Sequence, residues 1–577
     1  MSRIKQYLPI LGWLPGYDRS LLKGDLYGGI TVGIMLIPQG MAYAMIAGLP
    51  PVYGLYASIV PQIIYAVFGT SRPLSVAPVA MDSLLVATGV SVLATEGTEA
   101  YIGFAILLAF FMGLFQLLLG IMRMGFITNL LSKPVISGFT SAAAIIIGLN
   151  QLKYLIGADI VKSHRAIDVL GSTFQHLDET HLLTLIIGIG GIVVIKGAKK
   201  IHQSLPGALI AVILGILIVY TLRWQEAGVA IVQNIPEGLP SFQIPNFSLG
   251  KLAELIPLAL TISVVAFMEA YSVAKAIESQ RKDHKIVANQ ELIALGAANL
   301  VGSLFQSYPV TGGFSRSAVN HQAGANTPLA SVISAGLIAL ILLFLTPLFY
   351  FLPLAILASV IMVAVSSLVD WRYAVKLWKH HKPEFALLLI TFGATLHFSM
   401  VAGIVTGVVS AILLLLYKAA YPHIAVLGRL PGQQAFRNVK RFEGLETWHN
   451  KIILRVDAPM TFINVQYLKD FIEQELTKSS NCDSVLLDAS AISYMDASAE
   501  AGLTSLIQSL KERQIRFEIA SVVGPVRDAL FRTGLIEEIG TSNVFLTLDE
   551  AIEGSNGKSS RTSAQSEALQ YGELTTT

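Results

Sequence analysis

The residues of this sequence best suited to chemistry are polar groups set inside apolar surroundings. The first is Arg316. It lies in Ser307-Tyr308-Pro309-Val310-Thr311-Gly312-Gly313-Phe314-Ser315-Arg316-Ser317, a stretch rich in Gly, Pro, Ser and Thr between long apolar runs. An arginine near a bilayer centre costs roughly 2.5–3.5 kcal/mol on insertion scales, so it usually has a task. Its guanidinium can supply positive field to a divalent oxyanion, or it can pair structurally with a carboxylate or with helix carbonyls. Ser315 can donate a hydroxyl hydrogen bond, as can Thr311, although Ser and Thr also cap helices. A second interrupted stretch lies far upstream, Pro73-Leu74-Ser75-Val76-Ala77-Pro78-Val79-Ala80. Both read as openings of short half-helices. A helix N-terminus presents unpaired N–H groups and a partial positive charge. Two such ends can hold an oxyanion between them, with Ala77, Pro78 and Val79 on one side and Gly313, Phe314, Ser315 and Arg316 on the other. Proline at a helix start costs no hydrogen bond, which suits Pro78. The competing reading is that Pro78 and Gly312-Gly313 only kink buried helices.

Glu269 sits in the apolar run 262–271. Ionised beside an anion it would repel it; protonated it would not. Desolvation favours the neutral form of a carboxyl, so binding a proton and an anion together is physically natural. A salt bridge with Arg316 or Lys275, or a sodium site, are the other roles open to it. Gln39 and Tyr43 are four residues apart, hence on one helix face. An amide N–H and a phenol are plausible weak ligands for an oxyanion, although a lone helix aromatic is ordinarily core. Asp82 follows Pro78 by one turn and either faces the same cavity or caps local backbone. His397 reads as packed or interfacial. His380-His381, among lysines, gives weak support for a metal. No cofactor motif and no enzyme constellation appears, since Gly312-Gly313 lacks the strand-to-helix setting of a nucleotide loop.

These groups must be positioned by membrane-length elements. Of 577 residues, 53% are hydrophobic and 14% charged, against about 25% charged in soluble domains, and the mean hydropathy is +0.63. A net charge of +2 without basic blocks gives no sign of nucleic-acid binding. One cysteine, Cys482, excludes an internal disulfide and a cysteine-built metal site. Long apolar segments read at 24–46, 52–68, 101–121, 130–149, 182–195, 205–222, 255–274, 288–305, 329–345, 354–368, 385–397 and 401–417. With the interrupted segments 76–90 and 312–322 this makes about fourteen. With both termini on one side, one set of loops collects Arg72, Arg123 with Lys133, Lys196-Lys199-Lys200, Arg281-Lys282-Lys285 and Arg372-Lys376-Lys379-Lys382. The opposite loops carry Glu96 and Glu99, or the mixed charges of 153–180. That bias puts both termini in the cytoplasm of a cell (inner or plasma) membrane.

The expected organisation is a cytoplasmic N-terminal segment at 1–23 without signal-peptide character, a membrane domain at 24–420, a soluble α/β unit at 421–553 and a disordered tail at 554–577. In the α/β unit the strands fall at 451–456, 484–487 and 516–520, and the helices at 464–476, 497–512 and 524–532. The membrane part also carries an internal echo. Tyr43 and Tyr271 are followed, 35 and 38 residues later, by the prolines of the two interrupted segments, Pro78 and Pro309. Paired interruptions in two halves are the usual trace of an inverted repeat.

Pro51-Val52-Tyr53-Gly54-Leu55-Tyr56-Ala57-Ser58, followed by Phe68-Gly69-Thr70-Ser71-Arg72, resembles the signature of the sulfate permease (SulP) family of anion transporters. Ile37-Pro38-Gln39-Gly40-Met41-Ala42-Tyr43-Ala44, Asn289-Gln290-Glu291-Leu292-Ile293-Ala294-Leu295-Gly296 and Phe314-Ser315-Arg316-Ser317 are also similar to segments of that family, in the same order. The C-terminal unit resembles its STAS domain. The resemblance implies an all-α membrane domain of fourteen segments in two inverted seven-helix repeats, whose third and tenth members are half-helices. It implies a core moving against a gate, a homodimer in the lipid bilayer, and a small anion as substrate. It also places Gln39 and Tyr43 at the anion cavity. Met495-Asp496-Ala497-Ser498 is similar to the phosphorylation loop of anti-sigma-factor antagonists, but Ala497 stands where the phosphorylated serine would be. A packing and docking role for this domain follows.

The expected function is therefore proton-coupled symport of a small oxyanion, sulfate first, with Glu269 carrying the proton and elevator-like alternating access. The rival expectations are a bicarbonate carrier driven by sodium, an anion exchanger, a passive channel, and an anion sensor signalling through the STAS unit.

Overall fold

The computed structural model describes residues 7–126, 132–161, 163, 165–201, 206–247, 252–280, 285–366, 368–398, 400–479 and 481–553. The chain forms two compact units that part between Ala411 and Ile412. In the first unit the principal helices are α1 (Arg19–Ile46), α2 (Pro51–Tyr56), α3 (Val60–Phe68), α4 (Ala80–Val90), α5 (Glu99–Ile121), α6 (Lys133–Asn150), α7 (Leu182–Ile201), α8 (Gly207–Leu222), α9 (Leu252–Gln280) and α10 (Ala288–Ser303). After these come α11 (Phe314–Gln322), α12 (Leu329–Phe344), α13 (Leu354–Ser366), α14 (Trp371–His380), α15 (Lys382–His397) and α16 (Met400–Ala420), which runs across the division. Two-residue strands β1 (Val76–Ala77) and β2 (Thr311–Gly312) precede α4 and α11. Among the described residues, seven helices are long and apolar enough to cross a membrane.

All fourteen expected segments fall on helices, with instructive departures. Residues 130, 131, 205 and 367 of those segments lie outside the described residues, as do Lys162, Arg281-Lys282 and the tail 554–577. The stretch 52–68 is two helices. Pro61 sits in the first turn of α3, where its missing N–H cannot continue α2. α1 begins at Arg19, inside the expected polar N-terminal segment, because Asp18 accepts from Ser20 N at 2.7 Å and Leu21 N at 3.2 Å. The basic loop after α13 is instead the amphipathic α14, capped by Asp370 on Tyr373 N at 3.0 Å. The loop 153–180 likewise holds a helix, Ala166–Gln175.

One apolar core joins these elements, and small residues let the backbones close on each other. A Cβ on Gly296 of α10 would lie 2.5 Å from Leu117 N and 2.8 Å from Gly113 O of α5. A polar chain runs through the same contact. Asn299 Nδ2 donates to Gln116 Oε1 at 3.3 Å, and Gln116 Nε2 to Ser263 O at 3.1 Å, tying α10, α5 and α9. Because these buried amides are paired, they hold the helices in one register.

The second unit is a six-stranded sheet in the order β4-β3-β5-β6-β7-β8 with helices packed on it. Its strands are β3 (Ile424–Arg429), β4 (Phe436–Asn438), β5 (Lys451–Val456), β6 (Ser484–Asp488), β7 (Arg516–Ala520) and β8 (Val544–Phe545). β5 to β8 run parallel, and β3 is antiparallel to both neighbours. The expected strands and helices recur as β5, β6, β7, α17 (Val465–Lys478), α18 (Ala497–Glu512) and α19 (Gly524–Arg532). The sequence reading missed the edge strands β4 and β8, and β3 beside β4. Asp496 caps α18, accepting from Ala499 N at 2.8 Å and Phe462 N at 2.9 Å, so its carboxylate has structural work at the loop the sequence singled out.

Candidate functional site

The two interrupted stretches meet. β1 pairs antiparallel with β2, Val76 opposite Gly312 and Ala77 opposite Thr311. Gly313 N donates to Ser75 O at 3.1 Å, Ser75 N to Ser317 Oγ at 3.0 Å, and Asn320 Nδ2 to Pro73 O at 3.0 Å. Beyond this ribbon each chain turns into its half-helix, α4 behind N-cap Val79 and α11 behind N-cap Gly313. Neither cap residue has a polar side chain, so neither satisfies the first N–H groups of its helix. α4 starts at Ala80, slightly later than expected, and Pro78 stands before the cap rather than in the first turn. Other bonds fix the ribbon in the unit. Thr311 Oγ1 donates to Ala266 O of α9 at 2.7 Å. Val310 N donates to Asn299 Oδ1 and Asn299 Nδ2 to Val310 O, both at 2.9 Å.

Arg316 is 1% exposed. Its guanidinium folds back over the start of its own helix, and a Cβ on Gly313 would lie 2.7 Å from Nη2 and 2.8 Å from Cζ. Nη2 donates to Ala77 O at 3.2 Å, across the ribbon, while Nε is buried without a protein acceptor. The arginine thus places a full charge where the two half-helices begin. Its ionisable neighbours are Tyr43 of α1, Glu269 of α9 and Tyr308. Glu269 makes no ion pair with it, and Lys275 pairs with Glu278 instead, so neither salt bridge open to Glu269 in the sequence forms. Glu269 is partly buried, and its Oε2 is enclosed without a donor.

Gln39 and Tyr43 are both buried on one face of α1, and Gln39 Oε1 is unpartnered. Ala77, Pro78, Val79 and Gly313 are buried, whereas Phe314 and Ser315 are exposed at the first turn of α11. Thr311 is not available to a ligand, because Ala266 O takes its hydroxyl proton. Tyr308 was quoted in the sequence stretch without a role. It is fully buried, its hydroxyl 3.2 Å from Ser83 Oγ of α4. Asp82 is also fully buried, and neither carboxylate oxygen has a partner, so it does not cap local backbone.

The remaining buried acids of this unit behave differently. Glu291 accepts from Tyr65 Oη at 2.7 Å, Thr70 N at 2.7 Å, Thr70 Oγ1 at 2.5 Å and Ser71 N at 3.3 Å. Asp25 accepts from Asn326 N at 2.6 Å, Thr327 N at 2.8 Å and Thr327 Oγ1 at 2.6 Å. Both carboxyl groups are held by several donors and have structural roles.

A helical unit with two ribbon-joined half-helices is followed by an α/β unit on the same chain. A family model described as "Sulfate permease family" matches residues 22–391, and one described as "STAS domain" matches residues 443–551. The chain belongs to the sulfate permease family and carries a C-terminal STAS domain. It is similar to Sulfate transporter 4.1, chloroplastic, of Arabidopsis thaliana, with 38% identity over 95% of this chain and 82% of that one. It is 34% identical to High affinity sulfate transporter 2 of Stylosanthes hamata, over 95% of this chain and 86% of that one. The fold is shared with murine Solute Carrier 26 family member A9, an anion transporter solved in the inward-facing state. There the TM-score is 0.89 at 23% identity, over 96% of this chain and 95% of that one. The transmembrane domain of the cyanobacterial bicarbonate transporter BicA aligns with TM-score 0.59 at 22% identity, over 69% of this chain and 98% of that one.

Proposed function

We propose that this chain is a secondary active transporter that carries sulfate across a cell membrane together with protons. The observation that carries the reading is the pair of half-helix starts, fastened by β1 and β2, with the buried Arg316 bonded across them. Partial charges from two helix ends and one guanidinium attract a divalent oxyanion strongly enough to bind it and weakly enough to release it. The binding residues are the starts at Ala77, Pro78, Val79 and Gly313, Phe314, Ser315, with Arg316, Gln39 and Tyr43. Relatives named as sulfate transporters at 34% to 38% identity support the choice of anion.

In this reading Glu269 takes up a proton before the anion enters and releases it on the other side. Being partly buried, lacking an ion pair and lying beside Arg316 suit an acid that changes charge during the cycle. The ribbon-joined half-helices move as one body against the other helices, in elevator fashion. Two copies assemble, both termini face the cytoplasm, and the domains divide at 24–420 and 421–553.

The test is uptake of labelled sulfate and bicarbonate into proteoliposomes under imposed proton or sodium gradients. Sulfate accumulation driven by an inward proton gradient is expected, and Glu269→Gln is expected to lose accumulation while keeping sulfate–sulfate exchange. Uptake that ignores the proton gradient, or Glu269→Gln that accumulates normally, would overturn the coupling assignment.

A further inference from the structure

Asp25, Asp82 and Glu291 are the fully buried carboxylates of the membrane unit among the described residues. Asp25 receives three hydrogen bonds and Glu291 four. Asp82 receives none on either oxygen. An ionised carboxylate buried without donors or a cation is not a sustainable resting state, and the group neutralises by taking a proton. Asp82 also stands where neutralisation matters, in the first turn of α4, one turn beyond Pro78. Glu269 on α9, which packs on α4, is its acidic neighbour. The other titratable groups of this cluster are Tyr308, whose hydroxyl meets Ser83, Tyr43 on α1 and Arg316 on α11. α5 and α6 also pack on α4 and bring it no ionised neighbour. Two carboxylates close to one another in a desolvated site do not both ionise readily.

A charge count sharpens this. A bound divalent anion and Arg316 together carry one net negative charge. Glu269 and Asp82, both ionised, would bring the site to three. Protonating only Glu269 leaves two. Protonating both leaves the anion facing the guanidinium and two neutral acids.

We propose that Asp82 is a second proton-binding carboxyl of the transport site, so that each divalent anion crosses with two protons, one on Glu269 and one on Asp82. This rests on the proton-symport reading above. On the uptake side each carboxylate gains one proton from solution; on the release side each O–H bond breaks and the proton leaves with the anion. Charge then balances, and the loaded and empty carriers differ by no net charge.

The experiment is steady-state sulfate accumulation in proteoliposomes of the full chain, with potential clamped by potassium and valinomycin and the pH gradient varied. At zero potential, two protons give about 100-fold accumulation per pH unit and one proton about tenfold. The wild type is expected at about 100-fold, without voltage dependence. Asp82→Asn is expected at about tenfold, with uptake slowed by an inside-negative potential, and Asp82→Glu should restore the steeper law. A wild type at tenfold and indifferent to Asp82→Asn would overturn the role of Asp82 while leaving Glu269 as the coupling acid. A wild type with no response to the pH gradient would overturn the symport reading itself. Because the wild-type slope alone tests the two-proton law, misfolding of Asp82→Asn does not shield the proposal.

Discussion

Gly313→Ala isolates what the buried guanidinium contributes. Gly313 has φ −85° and ψ 131°, a conformation alanine adopts without strain. Its new methyl would stand 2.7 Å from Arg316 Nη2 and 2.8 Å from Cζ, so the far end of the side chain must swing away. The bond from Nη2 to Ala77 O at 3.2 Å is then lost. Moving a unit charge from about 4 to about 5 Å from a divalent anion, at an effective dielectric of about 20, costs about 1.7 kcal/mol. That converts to a loss of affinity of roughly tenfold to twentyfold. The measurement is the sulfate KM of uptake at a saturating proton gradient, paired with thermal unfolding of the purified carrier. KM should rise by about that factor while stability changes by less than about 1 kcal/mol. Gly312→Ala is the control. Its methyl would press on the apolar side chain of Leu74 at 2.8 Å and so should disturb packing without touching the charge. An unchanged KM in a folded Gly313→Ala protein refutes the assignment of the anion to the Arg316 side of the ribbon.

Other expectations follow the same geometry. Arg316→Lys keeps the charge but loses the planar fork, and should weaken sulfate binding at least about tenfold in the same uptake assay. Glu291→Gln turns one of two acceptor oxygens into an NH2 donor, so either Tyr65 or the Thr70 and Ser71 pair loses its acceptor; it should destabilise the carrier by about 1–3 kcal/mol in chemical unfolding, leaving the proton slope alone. In the STAS unit, burial pushes Asp457 up, but hydrogen bonds from Arg455 at 2.6 Å and His423 at 2.8 Å outweigh it and hold the carboxyl below its ordinary range. A depressed acid stabilises the fold at neutral pH and loses that contribution as pH falls through its folded value. Asp457→Asn should therefore cost stability at pH 7, under about 1 kcal/mol for so exposed a pair, and flatten the acid limb of unfolding.

Much of the membrane unit was legible because apolar length is a strong signal, and Arg316, Glu269 and the two Pro/Gly stretches stood out against it. The break at Pro61 was written in the sequence too, but a proline tolerated in a first turn looks the same as one inside a long span until the helix start is known. The sequence left Thr311 open between ligand and cap for a different reason. A hydroxyl near a site is a ligand only if nothing closer claims it, and Ala266 O does. The fate of Asp82 rested on which donors surround it, a long-range fact. Tyr308 had a weak local signal, being an aromatic directly before Pro309 in the broken stretch. In the STAS unit β3 escaped notice because it follows the last membrane helix, and β4 and β8 because strands of three and two residues carry no period.

The ribbon that joins β1 to β2 has a consequence for how the protein is made. The bond from Arg316 to Ala77 O closes 239 residues of chain. Until the ribosome has passed Ser317, the partner strand of β1 does not exist, and α4 must wait in the membrane with an unpaired edge and a buried acid beside it. Such a long closure makes late assembly an entropic burden carried by the already inserted helices. Two separately expressed halves, cut in the stretch between α8 and α9, should therefore be unstable apart and stabilise each other when made together.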